Sequence, residues 1–333
     1  MSISQDKVFV NPKKYNKWTM KKELNQAMAQ KLLDAGLDAR GTRMHDCSTK
    51  IEITYCAKCG KYEITNAKLC RDRLCPVCSW RLSMKRYADM LAVCSAIIKD
   101  YPENEWSFLT LTVKNCDSAV LGETLSKMST AFNRMRQRKL FKDKILGWAK
   151  TVEVTFNPRT YQVHPHLHIL ILWQKGVDRE TEGARLKNLW IAACADDLIT
   201  SYRGQNIKNI KAENALKETA DITGAVLETF KYTQKASSLL SMPLSVFRNY
   251  AKQMNNKRCL AYGGIIKDYL RTLRINTNDE PADLEPLRVC TNCGNTELTK
   301  GLYAWSFAER SYLYDPDGLA IEFEKAVEKT LAK

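Results

Sequence analysis

The sequence predicts an α+β fold, in which a central antiparallel sheet with helices follows an N-terminal cysteine-rich module. Residues 106–113 are rich in β-branched and aromatic side chains, which favours a strand. Two further strand-like segments flank the turn residues Asn157-Pro158-Arg159-Thr160, which indicates an antiparallel hairpin. Six of the twelve cysteines form C-x-x-C pairs, and four of these six precede residue 80.

The other elements follow from local patterns along the chain. Helices are predicted over 19–35, 79–98, 118–140, 179–199, 213–240 and 244–254. Strands are predicted over 106–113, 147–156, 161–173 and, more weakly, 205–210. We expect the hairpin of the second and third strands to lie at the centre of the sheet.

A chain of 333 residues suggests two domains at about 150 residues each, with appendages. We divide it into a basic N-terminal extension (1–50), a cysteine-rich module with a basic helix (51–100), the sheet-containing domain (101–275) and an acidic C-terminal module (276–333). The composition, 44% apolar and 27% charged, excludes wholesale disorder. No apolar run approaches the roughly 20 residues of a membrane span, and residues 1–7 lack a signal-peptide core. We therefore expect an intracellular protein without a membrane partner.

The charge is strongly basic and unevenly distributed. The chain holds 52 basic and 37 acidic residues, a net charge of +15. Residues 1–275 hold 46 basic and 26 acidic residues, whereas residues 276–333 hold 6 and 11. A basic body of this size favours a polyanionic partner, most often nucleic acid.

The first two cysteine pairs predict a zinc site. Cys56, Cys59, Cys75 and Cys78 have the spacing of a four-cysteine zinc module, in which two tight turns present paired thiolates to one ion. Cys70 lies between the pairs and is a further candidate ligand. The third pair, Cys290 and Cys293, resembles half a zinc site whose partner the sequence does not assign. A thioredoxin-like redox role is the alternative for these pairs.

Basic residues surround the first cysteines and extend into the following helix. They favour contacts to nucleic acid over chemistry. The candidate DNA-binding residues are Arg71, Arg73, Arg81, Lys85 and Arg86.

Three of the four histidines occupy alternate positions of one predicted strand. His164, His166 and His168 therefore share a face, and pairing across the 157–160 turn brings Glu153 near His164 on that face. Imidazoles beside a carboxylate suit a divalent cation. Two interpretations remain open here. A histidine-triad nucleotide hydrolase would use the middle histidine as nucleophile without metal, whereas a metal-dependent endonuclease of the histidine–apolar–histidine (HUH) type would need a tyrosine on a nearby helix.

The predicted helix 213–240 contains such a tyrosine. Glu228 and Tyr232 are spaced i, i+4 and share one helix face, and Lys235 follows three residues later. In isolation this stripe also fits an ordinary solvated face.

Taken in order, the motifs resemble those of the rolling-circle plasmid replication initiator (Rep) family of the HUH endonuclease superfamily. The matching segments are residues 69–78 followed by Arg81, residues 108–115, 164–170 and 228–235, and Tyr262-Gly263-Gly264 followed by Lys267. The resemblance covers about residues 50–270. The third cysteine pair is a departure from it.

The resemblance implies an HUH nuclease core of RRM-like fold and a strand-nicking activity at a plasmid origin. Tyr232 would attack a phosphodiester to give a 5′-phosphotyrosine link and a free 3′-OH primer. Mg²⁺ or Mn²⁺ would bind His166, His168 and Glu153, with His164 as a further candidate. The resemblance further implies that Lys235 favours the phenolate of Tyr232, and that Lys231 supports Lys235 in this and contacts DNA. It also implies that Glu228 activates water at termination.

The implied partners are single-stranded or cruciform origin DNA and a host helicase and polymerase, in the bacterial cytoplasm, with a homodimer as an open question. Alternatives to replication initiation are a transposase or relaxase with the same chemistry, the histidine-triad hydrolase, and a zinc-dependent DNA-binding regulator that binds without cleaving.

Overall fold

The computed structural model describes residues 16–210, 222–226, 229, 236–277 and 284–315. The chain divides into two compact units. The cysteine-rich unit comprises residues 1–33, 38–78 and 282–333, and the central-sheet unit comprises residues 34–37 and 79–281.

The elements of the described residues are named here in chain order. The α-helices are α1 (Asn16–Asp34), α2 (Asp38–His45), α3 (Pro76–Asp100), α4 (Leu121–Gln137), α5 (Lys139–Lys144), α6 (Arg179–Cys194), α7 (Ala236–Ser241), α8 (Leu244–Gln253) and α9 (Ile265–Thr272). The strands are β1 (Lys50–Cys56), β2 (Tyr62–Ala67), β3 (Trp106–Thr112), β4 (Ile145–Phe156), β5 (Val163–Trp173), β6 (Asn206–Asn209), β7 (Leu260–Gly264), β8 (Leu298–Ser306) and β9 (Ser311–Tyr314).

The cysteine-rich unit is built on an antiparallel sheet of strand order β2-β1-β8-β9. Ile51 and Ile53 of β1 alternate with more polar residues and are buried, as expected of a strand with one face against a core. β1 pairs with β8 along the whole length of β1, from Lys50↔Ala304 to Cys56↔Leu298. Within the predicted C-terminal module, the described strands β8 and β9 complete the sheet that β1 begins.

The N-terminal residues also belong to this unit. The indole nitrogen of Trp18, in α1, donates to the hydroxyl of Tyr312 at 3.1 Å, and that hydroxyl donates to the carbonyl of Ser48 at 2.6 Å. Tyr312 is completely buried. A buried hydroxyl needs such partners, since an unsatisfied one would destabilise the fold by about 1–3 kcal/mol. The described part of residues 1–50 thus packs into the unit and is not an extension from it.

The central-sheet unit contains a second antiparallel sheet, of order β6-β3-β5-β4-β7. The predicted hairpin is confirmed as β4 and β5, and it lies at the centre of this sheet. β5 is buried along nearly its full length, because helices cover both faces of the sheet.

The two faces carry different side chains. On one face, Leu170 and Leu172 of β5 pack in a common core with Met90 and Val93 of α3 and with residues 222–226. On the other face, Phe132 of α4 packs edge-on against Trp148 of β4, with ring centroids 5.1 Å apart. His166 and His168 lie on the first face, four and two residues before Leu170.

The predicted strand 106–113 and the predicted helices 19–35, 79–98 and 244–254 are confirmed within a few residues at either end. Most of the predicted helix 213–240 lies outside the described residues, apart from helical residues 222–226 and α7. No helix in the described part of the chain is long and apolar enough to cross a membrane.

Candidate active site

The hairpin register places a carboxylate directly beside two histidines. Glu153 of β4 pairs with His166 of β5, and Thr151 pairs with His168. The sequence placed Glu153 near His164 on one face of the hairpin; the face is right, but the residue that pairs with Glu153 is His166, because the turn is two residues longer than the predicted 157–160. The connecting loop spans six residues, 157–162, and is closed by a hydrogen bond from the amide of Asn157 to the carbonyl of Gln162 at 2.9 Å. A shift of two residues preserves the face, so the carboxylate still meets the imidazoles.

The three side chains converge on one point. Oε2 of Glu153 lies 3.0 Å from Nε2 of His166 and 2.7 Å from Nε2 of His168. The three potential ligand atoms all lie within 4.8 Å of one another. His166 and His168 are 8% and 6% exposed. Two nitrogens and one oxygen in a nearly buried cluster are a donor set that fits a divalent cation.

The opposite ring nitrogens hold the imidazoles in this orientation. Nδ1 of His166 lies 3.3 Å from the carbonyl oxygen of His164, and Nδ1 of His168 lies 3.3 Å from Oγ1 of Thr110 on β3. A carbonyl can only accept, so Nδ1 of His166 donates, and Nε2 of the neutral ring then carries a free lone pair. Fixing the outer nitrogen in this way is how proteins orient histidine ligands of metals. No sequence pattern singled out Thr110 for this role.

His164 stands apart from this convergence. Its ring is half-buried and lies 5.4 Å from that of His166, measured between centroids. The described group of converging ligand atoms does not include it. Burial and then the neighbouring His166 lower the pKa of His164, which favours its neutral form.

The residues proposed for the chemistry, Glu228, Tyr232 and Lys235, together with Lys231, lie outside the described residues. Residues 222–226 and 229, which are close to them in sequence, are described. Val226 is fully buried in the core that also contains Leu170 and Leu172. The carbonyl of Thr229 accepts a hydrogen bond of 2.8 Å from the hydroxyl of Thr151, and the hydroxyl of Thr229 donates to the carbonyl of Ala225 at 2.8 Å.

Thr151 ties this segment to the histidine cluster. It lies two residues before Glu153 on the same strand and pairs with His168 on the neighbouring strand. Residues of one strand that are two apart share a face. The backbone at Thr229 is therefore anchored on the same face of the sheet as Glu153, His166 and His168.

The cysteines form two separate clusters in the cysteine-rich unit. One contains Cys47, Cys70, Cys75 and Cys78, and the other contains Cys56, Cys59, Cys290 and Cys293. The predicted single site of Cys56, Cys59, Cys75 and Cys78 is wrong, because its two pairs belong to different clusters. Each predicted pair finds its remaining ligands elsewhere, Cys75 and Cys78 with Cys70 and Cys47, and Cys56 and Cys59 with the C-terminal pair.

The first cluster is buried and supported by polar side chains of α1. Sγ of Cys47 lies 3.6 Å from Sγ of both Cys75 and Cys78. The amide of Asn25 donates to Sγ of Cys75 at 3.2 Å. The ammonium of Lys22, which is 0% exposed, donates to the carbonyl of Cys47 at 2.6 Å. A buried cation beside clustered sulfurs is understandable if those sulfurs carry negative charge.

Sequence reasoning missed Cys47 because no second cysteine lies within a few residues of it. Its signal is three-dimensional, since the turn after α2 returns the chain to the segment before α3. Cys70 was recognised only through its position between the pairs, and it is confirmed as a member of the buried group.

The predicted DNA-binding residues are distributed over both units. In the cysteine-rich unit, Arg71 is exposed and Arg73 half-buried. In the central-sheet unit, Lys85 and Arg86 line a shallow pocket with Tyr262, and Nζ of Lys85 donates to the carbonyl of Asn276 at 3.1 Å. Arg81, on the same helix, is half-buried. No nucleic acid contact is described for any of the five, so their role stays a prediction.

A family profile described as a replication protein matches residues 61–313, more than half of the chain. The chain belongs to this replication protein (Rep) family. Membership confirms the resemblance to Rep initiators that the motifs indicated. No solved structure gave a significant match.

Individual relatives agree with this assignment. A "Protein rep" of Streptococcus pneumoniae serotype 2 is 27% identical over 327 residues, which cover 95% of this chain and 98% of the relative. A "Protein rep" of Lactiplantibacillus plantarum is 26% identical over 285 residues, 81% of this chain and 87% of that relative. A "Replication protein" of Staphylococcus aureus is 29% identical over 203 residues, 59% of this chain and 86% of that relative.

Proposed function

We propose that the protein is a rolling-circle plasmid replication initiator of the HUH type, which nicks one DNA strand at an origin with Tyr232 as nucleophile. The observation that carries the proposal is the convergence of Glu153, His166 and His168 at the centre of an antiparallel sheet, in a chain of the Rep family. In the HUH type, such a cluster binds a catalytic cation beside a tyrosine.

Tyr232 can reach this cluster on grounds of chain length alone. It follows Thr229 by three residues, and three residues span at most about 10 Å. Thr229 is hydrogen-bonded to Thr151, which pairs with His168. The anchored backbone at Thr229 therefore supports Tyr232 as the nucleophile.

In the nicking step, Oη of Tyr232 forms a bond to the scissile phosphorus while the bond from phosphorus to O3′ breaks. The 5′ side of the nick stays on the tyrosine, and the other strand end leaves as a 3′-OH that can prime synthesis. A Mg²⁺ or Mn²⁺ ion on Nε2 of His166, Nε2 of His168 and Oε2 of Glu153 would polarise the non-bridging oxygens. Thr110 and the carbonyl of His164 hold the two rings for that role.

A phenol has an ordinary pKa of about 10, so it needs help to react as phenolate near neutral pH. The ammonium of Lys235, three residues from Tyr232, would favour the phenolate, with Lys231 next to the tyrosine contributing to this and to phosphate binding. At termination, Glu228 would accept a proton from water as the water oxygen bonds to phosphorus and the phosphotyrosine bond breaks. A carboxylate in this position gives hydrolytic release of the protein from DNA.

The basic body of the chain supports DNA as the substrate, as single-stranded or cruciform origin DNA, with Arg71, Arg73, Arg81, Lys85 and Arg86 as phosphate contacts. The free 3′-OH serves as a primer only if a host helicase and a host polymerase act on the nicked DNA. Clustered cysteines suit Zn²⁺ in a structural role, separate from nicking.

The test is covalent capture of DNA. The protein is incubated with single-stranded origin oligonucleotides and Mn²⁺, and adducts are resolved on a denaturing gel. Tyr232→Phe should bind the DNA normally but form neither nick nor adduct, because only the nucleophilic oxygen is removed. Tyr101→Phe, the same change at an exposed tyrosine at the end of α3, should behave as wild type. Chelation of the cation should abolish nicking and leave binding intact.

An adduct that persists in Tyr232→Phe would assign the nucleophile to another tyrosine. Cleavage that needs neither Tyr232 nor a divalent cation would favour the histidine-triad hydrolase. Origin binding by the wild type, without a nick under any metal, would favour the zinc-dependent regulator.

A further inference from the structure

Two cysteine segments far apart in sequence adopt the same backbone turn. In Cys56–Gly60, the amide of Gly60 donates to the carbonyl of Cys56 at 2.9 Å, and the amide of Cys56 donates to the carbonyl of Lys61 at 2.8 Å. In Cys290–Gly294, the corresponding bonds are 3.0 Å, from Gly294 to Cys290, and 2.8 Å, from Cys290 to Asn295. Both turns have the hydrogen bonds of a knuckle that presents two thiols on one side.

The glycine of each turn is needed for this geometry. Gly60 has a φ of +71° and Gly294 a φ of +70°, values in the left-handed region that other residues adopt at a cost. Two C-x-x-C-Gly segments that form matching turns, more than 200 residues apart, are hard to explain by packing alone. The repeated turn indicates a shared ligand.

The thiols of the two turns face one another. Sγ of Cys59 lies 3.5 Å from Sγ of Cys290, and Sγ of Cys56 lies 3.6 Å from Sγ of Cys293. These separations are too long for a disulfide, which needs about 2.05 Å. They are close to the edge of a ZnS₄ tetrahedron, about 3.8 Å for Zn–S bonds of about 2.3 Å. The buried cluster has the same spacing, with 3.6–3.7 Å between sulfurs.

Polar contacts add to the pairing of the two turns. Nζ of Lys61 and the carboxylate of Glu63, both next to the first turn, share the hydroxyl of Thr291 in the second, each at 2.6 Å. The amide of Asn295 approaches Sγ of Cys56 at 3.6 Å. Immediately beyond the turns, β1 and β8 begin their pairing at Cys56↔Leu298.

We propose that the cysteine-rich unit binds two Zn²⁺ ions, a buried one on Cys47, Cys70, Cys75 and Cys78 and a second on Cys56, Cys59, Cys290 and Cys293. Four thiols lose their protons to solvent as four Zn–S bonds form at each site. The second ion is a clasp that fixes the C-terminal turn, and with it β8, to the turn between β1 and β2. It closes a loop of 231 residues between Cys59 and Cys290.

The two ions differ in access. In the first cluster Cys47, Cys75 and Cys78 are at most 2% exposed and Cys70 is half-buried. In the clasp Cys56 and Cys290 are also buried, but Cys59 is exposed and Cys293 is half-buried. A chelator reaches an exposed thiolate site without prior opening of the core. The clasp ion therefore exchanges first, and the buried ion follows only with unfolding of the unit.

The experiment is a zinc count on the purified full-length chain by inductively coupled plasma mass spectrometry. The wild type should contain two ions per chain, and Cys290→Ser/Cys293→Ser should contain one. Cys116→Ser/Cys259→Ser, which removes two cysteines outside both clusters, should keep two. One ion or none in the wild type, or two ions in Cys290→Ser/Cys293→Ser, would overturn the proposal.

Release of zinc from the wild type to a chromogenic chelator provides a second measurement, which does not depend on a folded variant. We expect one equivalent in a fast phase and one in a slow phase, and a single phase would contradict a clasp distinct from the buried site. Neither readout involves DNA cleavage, so the zinc proposal and the proposed nicking function can fail independently.

Discussion

The histidine centre and the cysteine clusters differ in the number and type of their ligand atoms. The histidine centre brings together three ligand atoms, two from imidazoles and one from a carboxylate. Each cysteine cluster brings together four thiols, and thiolates at this spacing complete a tetrahedron. Catalytic metal sites keep coordination positions for substrate, whereas structural sites are closed by protein ligands. The number and type of ligands are the reason why we propose a catalytic role for the histidine centre and a structural role for the cysteine clusters.

The largest effect should come from the buried cluster. Cys75→Ser replaces a thiolate that lies between Cys47 and Asn25. Because structural zinc contributes directly to folding free energy, we expect a loss of several kcal/mol and poor solubility. Thermal unfolding and the zinc content measure this, with Cys116→Ser as the control. An unchanged melting profile with unchanged zinc would remove the structural role from this cluster.

The next effect concerns the histidine centre. His168→Ala removes a ligand and should slow nicking by more than about a thousandfold, since a metal contributes several kcal/mol to the transition state. DNA binding should persist, because phosphate contacts do not need the cation. His45→Ala, at the exposed end of α2, serves as the matched control. His164→Ala should be milder than His168→Ala, and equal nicking rates in all three variants would argue against a metal centre.

Glu228→Ala tests whether the histidine centre keeps a coordination position free for substrate. The variant should still nick and form the adduct, but release of the protein should slow by about a hundredfold, because no base activates water. A time course of the covalent complex measures this. If the variant cannot nick at all, Glu228 acts in initiation or as a fourth ligand of the cation, and the contrast between open and closed sites becomes smaller.

The smallest effect should follow from Thr110→Val. It removes the hydroxyl next to Nδ1 of His168 and keeps the branched shape. Outer partners of metal ligands typically contribute 10–100-fold, and for this single weak contact we expect about tenfold in the Mn²⁺ concentration needed for half-maximal nicking. The rate at saturating Mn²⁺ should recover, which distinguishes orientation of the ligand from a structural defect. A fall in the saturated rate with unchanged Mn²⁺ dependence would count against the orienting role.

The β4–β5 hairpin and the face that carries His166 and His168 could be predicted, because both depend on residues that are close together in sequence. Alternation alone put His166 and His168 on one side of β5, and the turn residues located the hairpin. The register was wrong by two because Tyr161 and Gln162 belong to the loop. Tyr161 has a φ of +55°, which ends strand geometry there, and nothing in its residue type announces this.

The cysteine clusters were only half predictable because they depend on distant pairings. The C-x-x-C spacing identified the thiols but not their partners, and the nearest pair in sequence was the wrong partner. Cys56 and Cys59 meet Cys290 and Cys293 because β1 pairs with β8, a contact between strands that no local pattern specifies. The burial of Val226 against Leu170 and the hydrogen bond from Thr151 to Thr229 likewise depend on tertiary packing, which no local pattern specifies.

The pairing of β1 with β8 also sets an order of events during synthesis. The ribosome makes Cys56 some 240 residues before Leu298, a delay on the order of 10–50 s at bacterial elongation rates. During that interval β1 has no β8 to pair with, while every described residue of the central-sheet unit is synthesised before β8. A chain truncated after residue 281 and released from the ribosome should therefore resist protease in the central sheet and remain sensitive around β1. The central sheet, which carries His166 and His168, can therefore form before β1 pairs with β8.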